Sequence, residues 1–177
     1  IRLSLVGSEM CIRDSTNMPH EHILYTVFED VDNSAALTFS GPMNVGVKYC
    51  DFSGCDIGIY KAGQGDLIVS TCSFTECGNA ILAMNARDAD ITNCLIETSA
   101  RWGIVYYGDS IHLLENEIKA CGYGAVAIRS DNAKIEGSVD WSTSIHTNGQ
   151  AGGQPRPNSA ILFYDTEAEL NLSLIHI

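Results

Sequence analysis

Six of the seven cysteines lie on two ladders that share a step of 22 residues. The first ladder is Cys50, Cys72, Cys94, Asn116 and Ser138, and the second is Cys55, Cys77, Ser99, Cys121 and Thr143. Thiols in adjacent repeats could form disulfides, because neighbouring strands bring Cα atoms within bridging distance. They could also bind a metal, although no Cys-x-x-Cys pair occurs. Because Ser, Asn and Thr take the same positions, we favour cysteine as a small buried side chain, and the sequence leaves the disulfide state open.

Two further pairs of residues could do chemistry, and both keep the step of 22 residues. Tyr107 and Arg129 could neutralise a carboxylate and exchange a proton, or they could be a surface arginine packed over a tyrosine ring. Asp109 and Asp131 could bind calcium as stacked carboxylates. We favour the alternative that these two carboxylates cap tight turns by accepting backbone N–H bonds.

A third group consists of Trp102, Tyr123 and the neighbouring Arg101. Exposed aromatic rings one repeat apart can stack on sugars by their apolar faces, so this group is predicted to bind carbohydrate. The alternative is that the two rings cover the edge of the core or brace a long loop.

The elements that position these residues follow from the same period. An apolar position keeps the step of 22 residues, and a small residue that precedes a β-branched one recurs after 22 or 23 residues. These positions are Phe52, Phe74, Ile96 and Ile118, and Gly58, Ala80, Gly103 and Ala125. Alternating apolar pairs such as Leu67 and Val69 predict strands between turns, with three short strands in each 22 residues. A unit this small cannot bury its apolar face alone, so the sequence predicts an all-β, right-handed parallel β-helix solenoid of about six coils.

At the turn that carries the first ladder, the sequence resembles the pectate-lyase-like right-handed β-helix family. In that family a stacked polar ladder, often asparagine, occupies a tight bend between the second and third strands, and Asn116 keeps that residue here. The resemblance covers about residues 23–171. It implies that the loop after the third strand and the outer face of the first strand line a substrate groove.

The loop after the third strand is also where the repeat varies in length. The step from the second ladder to the small residue is short in most repeats, but it reaches 17 residues between Thr143 and Ala160. Binding loops concentrate where a rigid scaffold varies, so we expect a site near Trp102, Tyr123 and the excursion at 146–158.

No convincing catalytic set stands on the outward face of the first strand. Glycosidases need two facing carboxylates, and calcium-dependent lyases need an acidic cluster beside a basic group. Neither is predicted on this face, where Tyr107 and Arg129 are the weak candidates. If the protein is an enzyme, the resemblance implies a polysaccharide lyase, glycoside hydrolase or epimerase.

The two ends of the chain differ from the repeats. Residues 5–15 and 172–177 resemble translated transposon-type sequencing-adapter sequence. We therefore expect 1–15 and 172–177 to be non-native segments and 16–171 to be a single β-helix domain fragment of a longer protein.

The net charge and the hydropathy of the chain restrict the classes of partner that it is expected to bind. The net charge of −12 argues against nucleic acid, and no apolar run approaches the length of a membrane span. We expect no cofactor, with calcium as the candidate metal. Outward positions such as Leu82, Val105 and Leu162 are apolar, so another domain or subunit could cover them.

These observations favour a secreted or cell-envelope protein that binds, and could process, a polysaccharide. The alternative from a different class is a non-enzymatic adhesin, surface or phage-tail solenoid that serves as a rigid shaft.

Overall fold

The computed structural model describes residues 3–6, 10–13, 21–136, 144–146, 161–164 and 168–171, and every regular element in them is a β-strand. In chain order the strands are β1 (Leu3–Val6), β2 (Met10–Arg13), β3 (Glu21–Leu24), β4 (Thr26–Glu29), β5 (Ala35–Ser40), β6 (Val45–Lys48), β7 (Asp51–Ser53), β8 (Ile57–Ala62), β9 (Leu67–Ser70), β10 (Ser73–Thr75), β11 (Asn79–Thr92), β12 (Leu95–Glu97), β13 (Trp102–Leu114), β14 (Glu117–Lys119), β15 (Gly124–Glu136), β16 (Ser144–His146), β17 (Ile161–Phe163) and β18 (Ala168–Asn171).

The strands stack into three faces, and all of the described pairs are parallel. The first face contains β2, β5, β8, the first halves of β11, β13 and β15, and β17. The second contains β3, β6, β9, the second halves of β11, β13 and β15, and β18. The third contains β1, β4, β7, β10, β12, β14 and β16. The predicted all-β parallel solenoid with a 22-residue repeat is confirmed.

The apolar register predicted from the period is the centre of the core. Phe28, Phe52 and Phe74 are in register on β4, β7 and β10, and their rings stack at centroid distances of 4.8 and 4.7 Å. Ile96 and Ile118 continue the same row on β12 and β14. All five side chains are buried, so the interior is one continuous apolar column.

The small residue that opens each first strand is explained by close packing between coils. A Cβ atom added at Gly58 would lie 2.6 Å from the carbonyl oxygen of Ala80, and one added at Gly103 would lie 2.7 Å from that of Ala125. Glycine is required at these two positions because the next coil's backbone occupies the space of a side chain.

The first bend is the corner between the first and second faces. The sequence predicted three separate short strands in every coil, but in the later coils a single strand passes through this bend. Between β5 and β6 and between β8 and β9 it is a glycine turn, with Gly63 at φ +99°. From Asn79 onward the first and second strands run together as single strands of 13 or 14 residues. Asn85 at φ +61° and a register shift between Met84 and Ala86 let the chain turn there without ending the ladder of hydrogen bonds.

The cysteine ladders occupy two rows of buried corners. Each ladder residue from 50 to 121 follows a residue with positive φ, for example Thr71 before Cys72 and Glu76 before Cys77. The Sγ atom of Cys72 lies 3.4 Å from the carbonyl oxygen of Ser70 and 3.5 Å from that of Val47 in the preceding coil, so its single S–H can donate to either. All six cysteines from 50 to 121 are buried and free, which confirms their interpretation as small buried side chains.

Asn116 shows why asparagine replaces cysteine on the first ladder. Its Nδ2 donates to the carbonyl of Ile91 at 2.7 Å, which matches the inter-coil bond from Cys94 to Val69 one coil earlier. Its Oδ1 also accepts the backbone N–H of Cys94 at 2.9 Å. The same corner thus needs a small side chain that can donate to the coil before it.

We expect Asn116→Ala to lower the free energy of unfolding by about 2–3 kcal/mol, because it leaves a buried N–H and a buried carbonyl without partners. Urea denaturation monitored by circular dichroism measures this change. Asn116→Cys is the matched control, since it places the ladder's commonest residue at this corner, and we expect it to recover a large part of the loss. Equal losses in the two variants would contradict this explanation of the ladder.

The buried thiols also make stability depend on pH. Cys50 lowers and Cys94 raises the pKa of Cys72, and burial then raises it to about 12; burial likewise raises the pKa of Cys121. Above about pH 8.5 the unfolded chain loses thiol protons that the folded chain keeps, so stability falls as pH rises. We expect Cys121→Ser to make this decline shallower by up to about 1.4 kcal/mol per pH unit. Denaturation midpoints at pH 8, 9 and 10 measure it, and an unchanged slope would contradict it.

Candidate functional site

A groove of about 630 Å³ lies at the first bend, where the first face meets the second. Residues from four successive coils line it: Gly63, Gln64, Asn85, Tyr107, Gly108, Asp109, Arg129, Ser130 and Asp131. The lining is mostly polar and combines amides, a hydroxyl, a phenol, a guanidinium and two carboxylates. The groove runs along the solenoid axis, so it spans three intervals between coils, or about 14 Å.

Tyr107 and Arg129 lie side by side in this groove. They are register partners on β13 and β15, as the period predicts. Tyr107 is half-buried and Arg129 is exposed. Within the described part of the chain, the side chain of Arg129 makes no ion pair or hydrogen bond, so its guanidinium can bind a ligand without first breaking one.

Asp109 and Asp131 line the same groove one coil apart, and both are exposed. Neither carboxylate makes a hydrogen bond or ion pair with the described residues. The capping bonds at this bend come from other side chains: Asn44 Oδ1 accepts the N–H of Asp66, and Ser130 Oγ accepts the N–H of Asn132. The favoured expectation that Asp109 and Asp131 cap the turn is therefore wrong for the described structure.

Calcium at Asp109 and Asp131 stays a prediction. The described residues contain no group of three or more His, Cys, Asp or Glu side chains arranged to hold a metal. Calcium takes six to eight oxygen ligands, and two carboxylates supply at most four. The pair therefore fits calcium only where a bound ligand and water complete the shell.

Two other acidic residues near this bend, Asp66 and Asp88, interact with a second arginine. Arg87 makes a bidentate bond to Asp66, at 2.9 and 2.8 Å, and lies 3.5 Å from Asp88. The hydrogen bond to Asp66 raises the pKa of Arg87. Arg87 is thus engaged, whereas Arg129 faces the groove.

Beneath the groove, buried polar side chains hold the carbonyls of the bend. The hydroxyl of Tyr106 lies 2.6 Å from the carbonyl oxygen of Ser110 and 3.1 Å from that of Ala86, and burial raises its pKa. Ser130 Oγ contacts the carbonyls of Asn132 and Asp109 at 2.7 and 2.9 Å. Sequence reasoning missed these residues, together with Lys61. The signal for Lys61 and Tyr106 was their place in a row of register partners that otherwise carries apolar residues such as Phe39, Ala83 and Ile128.

The predicted carbohydrate site at Arg101, Trp102 and Tyr123 lies at the opposite end of the first strand. Trp102 is five residues before Tyr107 on β13, or about 16 Å along the strand. Trp102 pairs with Gly124, whereas the N–H of Tyr123 donates to the carbonyl of Arg101, so the two aromatic residues are offset. The described residues show no stacking between their rings.

Arg101 forms an ion pair with Asp56, two coils away. Gly78 lies in the intervening coil, where a Cβ atom would crowd the backbone and carboxylate of Asp56. The absence of a side chain there leaves room for Arg101 to reach across. The excursion at 146–158 lies outside the described residues, apart from the backbone of His146.

A second aromatic pair was not anticipated from the sequence. Tyr25 and Tyr49 lie at the bend between the second and third faces, where they are 55% and 48% exposed and their rings stack on each other at 4.9 Å. Each ring covers one face of the other ring, so each ring has only one face left on which a sugar could stack.

The apolar outward positions of the first face are less open than the sequence indicated. Val105 is only 9% exposed, and Leu82 and Leu162 are half-buried. A covering domain or subunit stays a prediction. The described residues contain no helix long and apolar enough to cross a membrane.

The fold and groove together define a parallel β-solenoid whose coils carry polar side chains along one bend. The sequence model of a family described as right handed beta helix region matches residues 6–140, and the chain belongs to this family. The match begins inside the segment 1–15, and β1 and β2 pair with β4 and β5. The expected subdivision into 1–15, 16–171 and 172–177 stays a prediction. No curated protein and no solved structure matches the sequence.

Proposed function

We propose that the protein binds a polysaccharide along the outward side of the first face, with Tyr107 and Arg129 as the anchor at the first bend. The observation that carries the proposal is the in-register pairing of these residues in a polar groove where Arg129 has no ion pair among the described residues. A charge-assisted hydrogen bond from a guanidinium is among the stronger polar contacts that a protein can offer.

The shape of the groove suits a linear polymer. Successive coils repeat at about 4.8 Å, and Gln64, Asn85, Tyr107 and Arg129 each come from a different one of four successive coils along the axis. Amide, phenol and carboxylate groups can each exchange hydrogen bonds with sugar hydroxyls. Such polymers are met outside cells, so the proposal includes an extracellular or cell-envelope location.

The proposal also includes chemical processing of the bound polymer by Tyr107 and Arg129. Arg129 would neutralise a sugar carboxylate while Tyr107 exchanges a proton, which is the chemistry of a lyase or epimerase. Asp109 and Asp131 stand beside this pair and could bind calcium bridged to the same carboxylate. Trp102 and Tyr123 would extend the binding surface at the far end of the strand.

A saccharide array with neutral and uronate-containing oligosaccharides tests the binding function. We expect the protein to retain a subset of these ligands, and Trp102→Ala and Tyr123→Ala to weaken binding less than a change at Arg129. Absence of binding to every saccharide would contradict the proposal.

The non-enzymatic shaft is the second candidate, and the ion pair between Arg101 and Asp56 favours it. This contact uses a predicted sugar-binding residue to connect coils. The shaft predicts no saccharide binding and no effect of Trp102→Ala or Tyr123→Ala on any ligand.

A further inference from the structure

Lys61 is a lysine with 0% exposure on the inward side of β8. It lies in register between Phe39 on β5 and Ala83 on β11, so its stem is part of the core. Buried lysines are rare without a charged partner, because an ammonium loses its hydration on burial. In the described residues Lys61 makes no ion pair, and burial lowers its pKa.

Three backbone carbonyls take the place of a charged partner for the ammonium group of Lys61. Nζ donates to Gly63 at 2.7 Å, to Gly41 at 3.0 Å and to Gln64 at 3.2 Å. An ammonium group on a single carbon has three N–H donors, and the corner provides three acceptors. Donors and acceptors therefore match one to one.

The backbone conformation makes the corner. Gly41 and Gly63 have φ values of +95° and +99°, a region that favours glycine. A Cβ atom at Gly63 would lie 3.0 Å from the carbonyl oxygen of Gly41, so side chains there would crowd the two loops. Gly63 and Gln64 also form one wall of the groove.

We infer that the carbonyls of Gly41, Gly63 and Gln64 form a binding site for a primary ammonium group, which the native chain fills with Lys61. Lys61→Ala removes three methylenes and the ammonium, which is the shape of n-propylammonium. The emptied site combines an apolar channel with three carbonyls, so it should take a primary alkylammonium in preference to a quaternary one. In the native chain this built-in cation holds the groove wall without a metal ion. The inference does not depend on the proposed saccharide function.

Thermal unfolding of Lys61→Ala in chloride salts of equal ionic strength tests this site. We expect n-propylammonium to raise Tm by about 3–5 °C at ten times its Kd and to do so saturably. Tetramethylammonium cannot donate, and 1-propanol carries no charge, so both should have little effect. Wild type should respond equally to all three, because Lys61 occupies the site.

Two further variants keep the test decisive. Lys61→Met retains most of the stem and leaves room only for the head group, so it should respond to ammonium but not to n-propylammonium. Tyr106→Phe loses a polar group from the same inner row without opening space for an amine, so it should respond to neither. If Lys61→Ala does not fold alone, n-propylammonium should restore its refolding yield and tetramethylammonium should not. Equal responses of Lys61→Ala to all of these solutes, or no refolding in any of them, would overturn the inference.

Discussion

Gly108→Ala is expected to lower the free energy of unfolding by about 3 kcal/mol or more. A Cβ atom at Gly108 would collide with the carbonyl oxygen of Ala86 and with the hydroxyl of Tyr106. The first obstacle is backbone, and the second is a buried hydroxyl that already contacts the carbonyls of the bend. Neither can move without breaking hydrogen bonds between coils.

Urea denaturation of wild type and Gly108→Ala measures this effect. Gly46→Ala is the matched control, because there the added methyl would meet the imidazole of His22, which is an exposed side chain and not backbone. We expect Gly46→Ala to cost less than about 1 kcal/mol. Similar losses for the two glycines would show that the packing beneath the groove is not specially tight.

Arg129→Gln is expected to reduce saccharide affinity by about tenfold to a hundredfold while leaving stability nearly unchanged. The side chain is exposed and makes no hydrogen bond or ion pair with other described residues. Hydrogen bonds that involve a charged group are worth about 1.5–3 kcal/mol, and glutamine removes the charge while keeping a polar side chain.

Calorimetric titration with a saccharide selected on the array measures this loss. Lys119→Gln is the matched control, since Lys119 lies on β14 of the third face, where its Nζ is 2.8 Å from Glu117 and 3.3 Å from Glu97. Its replacement should leave affinity unchanged. Equal losses in the two variants would mean that binding follows the overall charge of the surface and not the groove.

The architecture could be predicted because every coil must meet the same packing requirement. Phe52, Phe74, Ile96 and Ile118 recur at one step because each must fill the same slice of the interior. The pairing of Tyr107 with Arg129 could be predicted for the same reason, since residues one period apart become register partners.

The groove itself could not be predicted, because it combines positions on both sides of a bend. Tyr107 lies before the bend and Asp109 after it, so the sequence suggested two unrelated pairs where the structure has one lining. The period also gives no account of contacts that skip a coil. Arg101 reaches Asp56 across Gly78, and this contact depends on the absence of a side chain in the coil between them.

Lys61 was missed for a related physical reason. A lysine in a strand is normally expected to face water, and only the convergence of Gly41, Gly63 and Gln64 makes its burial favourable. Those three carbonyls come from two different coils, so no local sequence pattern predicts that they converge.

Backbone amide chemical shifts recorded during titration with a bound oligosaccharide test the location of the proposed site most directly. We expect the largest and saturable shifts at residues 107–109 and 129–131, with the same dissociation constant at each, and we expect Arg129→Gln to suppress them. Shifts confined to 101–102 and 123, with 107–109 and 129–131 unmoved, would contradict the assignment of the groove as the binding site.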